Sequence, residues 1–302
     1  MKPTTSSTPV GPALLAAAGA FTLWGLLPLY WKVLQVVPPF EILCHRVVWS
    51  MVFAAAILTI QKRWGETLAL VRPGKILLIG AAGLLLGLNW FLYILAVNTG
   101  HVLEASLGYY INPLVNVALG RVFFQERLRP LQAVAVVLAM AGVANAVWAY
   151  GRPPYLALGI AVTFAFYGLT RKVSPAKPIP GLFLETAMLA LPALGFIVFS
   201  GTALAWTTPA MDLLLASTGI VTSVPLLMFV VGARRLTLTT LGLLQYIAPS
   251  LTFGLGILVF REPFGVHDLT TFVFIWLALT LYTLHGLRSA RITIHGVRGA
   301  TS

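Results

Sequence analysis

Long apolar stretches, separated by short groups of charged, Pro, Gly and Asn residues, follow one another along almost the whole chain. A helix that crosses a bilayer needs about 20 mostly apolar residues, and ten stretches approach or reach that length. The pattern therefore predicts an all-α membrane protein with ten transmembrane helices. The predicted spans are Gly11–Trp31, Pro39–Ile60, Lys75–Val97, Val102–Phe123, Pro130–Tyr150, Pro154–Leu169, Leu182–Phe199, Met211–Ala233, Leu236–Val259 and Val266–Gly286.

One of these segments occurs twice in the chain. Glu104–Arg127 aligns without gaps with Thr240–Pro263, and Pro113 of the first copy matches Pro249 of the second. A shared proline within an apolar helix-length segment that ends in Phe-x-Glu indicates an internal duplication, so the two halves should be structural counterparts. The other matched pairs are Leu107 with Leu243, Tyr110 with Tyr246, Ile111 with Ile247, Gly120 with Gly256, Phe124 with Phe260 and Glu126 with Glu262.

Five predicted spans precede the Gly151-Arg152-Pro153-Pro154 connector and five follow it. Because five is an odd number, the second half must enter the membrane from the opposite side. The sequence therefore predicts two inverted-topology five-helix repeats, residues 11–150 and 151–288, flanked by tails at residues 1–10 and 289–302.

The basic residues orient this topology. With the N-terminus inside, the outer side holds only Lys32, Arg152 and Arg261, Arg46 lies within the second span, and all other basic residues fall on the inner side. Cytoplasmic loops of membrane proteins carry the excess of Lys and Arg, which predicts that both termini are cytoplasmic. The bases are spread over every inner connection and form no stripe, so nucleic acid is excluded as a partner.

Composition agrees with a membrane protein and excludes several chemistries. Hydrophobic residues make up 59% of the chain, charged residues only 9%, and the mean hydropathy is +0.91. The single Cys44 excludes an internal disulfide, and no His or Cys set has metal-ligand spacing. No Walker, HExxH or GxSxG motif occurs, so neither ATP hydrolysis nor enzyme activity is expected, nor is a cofactor. The first apolar stretch continues past any plausible cleavage point and is predicted to be a span.

Ionisable groups within the spans are candidates for function, because placing one in hydrocarbon costs at least about 2.5 kcal/mol. Arg46 and His45 lie about two turns into the second span, below Glu41, with Lys32 at the end of the first. Glu104 lies near the start of the fourth span, also in the first half. In the second half, Arg171 and Lys172 precede Glu185. These residues are predicted to be gates, substrate contacts or proton sites; the alternative is snorkelling side chains and static ion pairs.

Pro113 and Pro249 fall near the middle of the membrane, where a proline frees a backbone carbonyl and bends its helix. Interrupted helices of the two repeats commonly bind substrate at this depth, so we predict a gating or kink role for both prolines. The alternative is a packing kink. The residues predicted to line a substrate site at this depth are Trp24, Asn89, Trp90, Tyr93, Tyr109, Tyr110, Asn112, Tyr167, Gln245 and Tyr246, with Arg46 as a charged contact.

Some further residues are predicted to be structural. Tyr30 and Trp31 are assigned to the aromatic belt at the membrane interface. A glycine face on the third span, Gly80, Gly83 and Gly87, predicts close helix packing. Glu126 and Glu262 are predicted to fix a helix end or a loop.

Four segments make the chain resemble the EamA family of the drug/metabolite transporter superfamily, and most closely its RarD branch. They are LWGLLPLYWK from Leu23, EILCHRVVWS from Glu41, NWFLYILAVNTGHVLEASLGYYINPL from Asn89 and LQYIAPSLTF from Leu244. The resemblance implies ten helices in two inverted repeats in a bacterial inner membrane, with a cavity lined by spans one, three, four, six, eight and nine. It also implies movement of small organic solutes, with an association with chloramphenicol for the RarD branch.

The predicted function is a secondary transporter that moves small organic solutes or metabolites, amino-acid-like or amphenicol-type, by alternating access and in the direction of efflux. Its partners are the solute, the lipid bilayer and protons as a coupling ion, for which Glu104, Glu185 and His45 are the titrating candidates. The rival hypotheses are a facilitative channel-like pore, a membrane enzyme acting on lipid-linked substrates and a non-transporting membrane scaffold. The enzyme would need clustered acids or His at one interface, and the sequence contains no such cluster.

Overall fold

The computed structural model describes residues 10–123, 125, 130–199, 208–233 and 244–281, and all of their regular structure is helical. Within these ranges the helices, numbered in chain order, are α1 Val10–Val33, α2 Pro39–Ile60, α3 Trp64–Leu68, α4 Pro73–Asn98, α5 Val102–Phe123, α6 Pro130–Tyr150, α7 Tyr155–Val173, α8 Pro178–Phe199, α9 Pro209–Ala233, α10 Ile247–Leu258 and α11 Val266–Leu281.

Five described helices are long and apolar enough to cross a membrane, and four shorter apolar helices accompany them. The boundaries predicted for α2, α5 and α6 agree with the structure to the residue. The short α3 was not predicted. The start of the ninth predicted span, the end of the tenth, most of the N-terminal tail and the C-terminal tail lie outside the described residues.

Five helices begin with a proline: Pro39, Pro73, Pro130, Pro178 and Pro209. The first N–H groups of a helix have no partner inside the helix, so a residue without an N–H loses nothing there, and its fixed φ suits the first turn. The connections of this chain therefore place proline where it starts a helix.

The two halves interlock along the bundle. Helices α1, α2, α4 and α5 of the first half make their main contacts with α7, α8, α9 and α10 of the second. The glycine face of α4 lies against α8, since a Cβ on Gly83 would come within 2.9 Å of the Glu185 backbone oxygen, and Gly80 and Gly87 face Met188 and Leu189. This confirms the packing prediction for the three glycines.

The two copies of the duplicated segment also contact each other, as α5 and α10. The Ser106 hydroxyl donates to the carbonyl oxygen of Pro249 at 2.8 Å, and the hydroxyls of Tyr110 and Ser250 are 2.7 Å apart. Polar side chains in the bundle thus find partners on a neighbouring helix, as a chain without access to water requires.

The outward surface of the bundle is apolar. Trp148 is 87% exposed and Phe199 is 89% exposed, and Leu15, Ile60 and Leu191 are exposed as well. A soluble monomer does not present this much apolar surface to water, so these side chains face lipid.

Candidate functional site

A buried arginine on α2 contacts two tryptophans. The Arg46 guanidinium is 4.1 Å from the ring centroid of Trp90 on α4 and 4.9 Å from that of Trp31 on α1. Its Nε donates to Thr222 Oγ1 on α9 at 2.9 Å, and the side chain is only 4% exposed. Tyr30, Tyr93 and Tyr109 pack in the same apolar cluster as Trp31. We call the whole group the Arg46 cluster: Tyr30, Trp31, Arg46, Trp90, Tyr93, Tyr109 and Thr222.

The belt prediction for Trp31 is wrong. A belt tryptophan is exposed to the headgroup region, whereas Trp31 is 0% exposed and covers one face of Arg46. Tyr30 is partly buried, and its hydroxyl donates to the Leu214 carbonyl oxygen at 2.5 Å and lies 2.8 Å from Ser217 Oγ, both on α9. Tyr30 thus joins α1 to α9 in the second half of the chain, and Trp31 joins α1 to α2.

A row of aromatic rings leads away from the Arg46 cluster. Tyr93 contacts Tyr109 edge to face at a centroid distance of 5.5 Å, and Tyr109 contacts Phe164 at 6.0 Å. Phe164 in turn lies 6.0 Å from Tyr167. The row crosses from α4 and α5 in the first half to α7 in the second, so both halves build it.

The row ends at a second charged group, the Glu185 cluster of Tyr167, Arg171 and Glu185. Glu185 on α8 is 0% exposed; its carboxylate accepts from Arg171 at 3.0 Å and from the Tyr167 hydroxyl at 3.2 Å. The glycine at 181 lets the guanidinium pass, because a Cβ there would collide with Arg171. Each oxygen of this carboxylate therefore has a hydrogen-bond donor from α7.

Asn89 and Asn112 tie helices together. The Asn89 amide donates to the Ile160 carbonyl oxygen at 2.9 Å and to Thr163 Oγ1 at 3.1 Å, both on α7. The Asn112 amide donates to the Ala161 carbonyl oxygen at 3.1 Å, while its Oδ1 accepts from Asn116. Their predicted contact with substrate stays a prediction, since both amide groups serve interhelical bonds in this conformation.

The two proline segments differ. Helix α5 continues through Pro113, whose side chain lies outside the described part of the chain, whereas Gln245 and Tyr246 form a turn before α10. Proline lacks the N–H that would bond the carbonyl four residues earlier, which is Gln245 for Pro249. Tyr110 and Tyr246 pack in a core with α11, away from the Arg46 cluster.

The remaining predicted residues are distributed around these groups. Trp24 contacts Phe229 on α9 at a centroid distance of 5.7 Å, and the Lys32 Nζ lies 5.6 Å from the Phe260 ring. His45 is buried, and its Nε2 has no hydrogen-bond partner.

Glu104 lies at the end of the bundle that holds Lys32. It borders a pocket of about 250 Å³ together with His101, Arg152, Glu262 and Asp268, among others. The Glu262 carboxylate accepts from the backbone N–H groups of Val102 at 2.6 Å and Leu103 at 2.9 Å, which confirms that it fixes a helix end. Burial raises the pKa of Glu262 from its ordinary value, while these two N–H donors oppose the shift.

Glu66 lies in the connection at the opposite end. It accepts a hydrogen bond from Arg63 at 2.8 Å and forms an ion pair with Lys177 at 3.2 Å. Lys177 directly precedes α8. The hydrogen bonds from Arg63 and then Lys177 lower the pKa of Glu66 below its ordinary value. The pair connects a loop of the first half to a loop of the second.

Sequence reasoning missed four members of these groups as site residues: Tyr30, Trp31, Phe164 and Thr222. A tryptophan followed by a lysine at a helix end is typical of the membrane interface. The local sequence does not distinguish such a tryptophan from one that packs on a buried arginine. Phe164 and Thr222 occur in ordinary apolar helices. An unpaired arginine inside a span was the available signal, since it requires aromatic or polar partners from other helices.

Apolar helices packed around buried charges and polar interhelical bonds define a polytopic α-helical membrane protein. Residues 11–148 match the model of the EamA-like transporter family. The chain is 47% identical to the uncharacterized transporter PA0485 of Pseudomonas aeruginosa over 280 residues, 90% of this chain and 93% of that one. It is 43% identical to the protein RarD of Escherichia coli over 286 residues, 93% and 96% of the two chains.

A more distant relative, named chloramphenicol-sensitive protein RarD in Pseudomonas aeruginosa, is 30% identical over 93% of this chain and 96% of its own. A crystal structure with 23% sequence identity has the same fold, with a TM-score of 0.60 over 91% of this chain and 98% of that one. The chain belongs to the RarD group of EamA-like transporters in the drug/metabolite transporter superfamily, and it is a bacterial inner-membrane protein.

Proposed function

We propose that the protein is a secondary transporter that moves small organic solutes out of the cytoplasm by alternating access. The carrying observation is that the Arg46 cluster and the aromatic row are both built by the two halves of the chain together. A site shared between two rigid units changes its exposure when one unit rocks against the other.

The topology proposed for this motion is ten spans in two inverted repeats, residues 11–150 and 151–288. The Lys177–Glu66 ion pair supports it, because α2 and α7 must both end at the side of the membrane where this pair lies. These helices are the second and the first span of their halves, so ending on the same side is the arrangement that inversion requires.

The basic residues at the Glu66 end favour the cytoplasm. Lys62, Arg63, Arg72 and Lys177 occur in the connections there, and Lys75 lies in the first turn of α4. By the positive-inside rule, this end and both termini face the cytoplasm, and the Arg46 cluster lies toward the outer face.

Bonds between the halves suggest how the outer end closes. The bonds Tyr30–Leu214, Arg46–Thr222 and Glu262–Val102 each join the first half to the second, and all involve buried or partly buried groups. At the other end, Lys177–Glu66 is solvent-exposed. Opening toward the outside therefore requires the first three bonds to break. The residue proposed to bind a coupled proton is Glu104, His45 or Glu185.

A solute with an apolar body and a few polar groups suits the aromatic row best. Chloramphenicol and amino-acid-like molecules are the first to test, because one relative is named for chloramphenicol sensitivity.

Counterflow in proteoliposomes tests the function. Protein reconstituted with unlabelled solute inside should accumulate labelled solute transiently, since a carrier exchanges one for the other. A channel-like pore gives no such overshoot, and a scaffold gives no uptake at all.

A matched pair of variants links the transport to the site. Trp90→Leu removes one face of the Arg46 cluster and should abolish counterflow, whereas Trp148→Leu alters a lipid-facing tryptophan and should leave it unchanged. Equal activity of the two variants would overturn the assignment of the site.

A further inference from the structure

Arg46 keeps donor groups that the protein does not use. Its Nη1 is buried and has no hydrogen-bond acceptor. A buried donor of a charged group that lacks an acceptor is unfavourable, so a chain that keeps one gains something else from it.

The surroundings of Arg46 leave a donor available for recognition. The guanidinium is planar, and all five of its N–H groups point outward in that plane. Trp31 and Trp90 lie against the guanidinium, and Thr222 takes the Nε–H. The donor left for an incoming group is Nη1, at the end of the guanidinium where a carboxylate makes a paired, in-plane contact.

Other unused donors belong to the same part of the bundle. Trp31 Nε1 and Ser50 Oγ are buried without a partner. Trp31 lies against the guanidinium, and Ser50 lies four residues after Arg46 and so on the same face of α2. An indole N–H only donates, and hydroxyls donate as readily as they accept, so this group is rich in donors.

The chemistry selects a monoanion. A cationic solute would be repelled by Arg46, and a dianion would need a second positive charge, whereas Arg46 is the one cation in the cluster as described. The aromatic row that begins at Tyr93 and Tyr109 offers apolar contact for the rest of the molecule.

We propose that the Arg46 cluster binds the carboxylate of an organic monoanion whose apolar body lies along the aromatic row. This inference rests on the proposed transport function and names the substrate class of the same site. Because Arg46 is almost fully buried, the carboxylate reaches it when the outer ends of α1, α2 and α9 separate.

Thermal stabilisation of the purified full-length protein by matched pairs of molecules tests the charge requirement. The pairs are benzoate with benzamide, hexanoate with hexanamide, and N-acetylphenylalanine with its amide. The carboxylates should raise the unfolding temperature at about 10 mM, tenfold above a millimolar Kd, and each amide should bind about 10- to 100-fold more weakly.

Variants separate binding from a structural role. Arg46→Met should remove the response to carboxylates and leave the response to amides, while Arg46→Lys, which keeps the charge without the planar edge, should restore part of it. Arg72→Met, at an exposed arginine in a connection, is the control and should respond like the wild type.

Three results would overturn the proposal: no stabilisation by any carboxylate of the panel, equal responses to carboxylate and amide, or an unchanged response in Arg46→Met. Counterflow distinguishes its failure from failure of the proposed function. If the protein exchanges neutral chloramphenicol but binds no carboxylate, only the proposed substrate class is contradicted. If no solute is exchanged, the proposed transport function is contradicted.

Discussion

The two charged clusters solve the problem of a buried charge in opposite ways. At the Glu185 cluster, the carboxylate has both an arginine and a tyrosine hydroxyl as partners. At the Arg46 cluster, the guanidinium has aromatic faces and one hydroxyl, and Nη1 is left without an acceptor. The Arg171–Glu185 ion pair holds α7 and α8 together, whereas the unpartnered donor of Arg46 is available to bind a ligand.

The largest expected effect comes from removing the arginine of the Glu185 cluster, and the same change at the Arg46 cluster is the comparison. Arg171→Met leaves the Glu185 carboxylate buried without its ion-pair partner and should lower the free energy of unfolding by about 3–5 kcal/mol. Arg46→Met removes an incompletely paired charge and should leave the stability of ligand-free protein equal or higher. Thermal unfolding in detergent measures both, and a larger loss for Arg46→Met would break the comparison.

A smaller effect should come from the glycine face that positions Glu185. Gly83→Val places a side chain within 2.9 Å of the Glu185 backbone oxygen and should cost about 1–3 kcal/mol by overpacking. Gly195→Ala on α8 is the matched control, because an added Cβ meets nothing within 4 Å, and it should stabilise the helix slightly. If Gly83→Val unfolds at the wild-type temperature, α4 does not fix Glu185.

Glu262, at the end of the bundle nearer Arg46, should contribute less to the free energy of unfolding. Glu262→Ala leaves the N–H groups of Val102 and Leu103 without an acceptor and should lower the free energy of unfolding by about 1 kcal/mol.

Its pH dependence follows from the direction of the pKa shift. The folded state holds the Glu262 proton more tightly than the unfolded state, so the stability from this group is lost as pH rises from the ordinary carboxyl pKa through the raised value. Glu262→Gln should lack this component in thermal unfolding curves recorded across that range. A variant with the same pH dependence as the wild type would show that Glu262 titrates at its ordinary value.

The smallest effect is expected for Glu66 at the other end of the bundle, and its pH dependence should have the opposite sign to that of Glu262. Hydrogen bonds lower the pKa of Glu66, so its contribution is present above the ordinary carboxyl pKa and is lost as pH falls through the lowered value. Glu66→Gln should reduce the unfolding temperature slightly at neutral pH, and high salt should erase the difference because the pair is exposed. Persistence of the difference in high salt would contradict a surface ion pair.

The sequence alone determined the helical architecture, the membrane environment and the candidate residues. Apolar length decides whether a segment can span a bilayer, and proline marks where a helix starts, so the limits of α2, α5 and α6 followed from local pattern. The duplicated segment also identified α5 and α10 as a related pair. Arg46 and Glu185 stood out because a charge in a span is costly wherever the chain folds.

Only the tertiary structure decided which of these residues meet. Trp31, Trp90 and Thr222 come from three different helices, and their convergence on Arg46 depends on how the two halves interlock. The same packing committed the Asn89 and Asn112 amides to α7 and turned Trp31 inward. Hydrophobic periodicity specifies that a face is buried but not against which helix, so the partners of a buried charge appear only once the bundle is assembled.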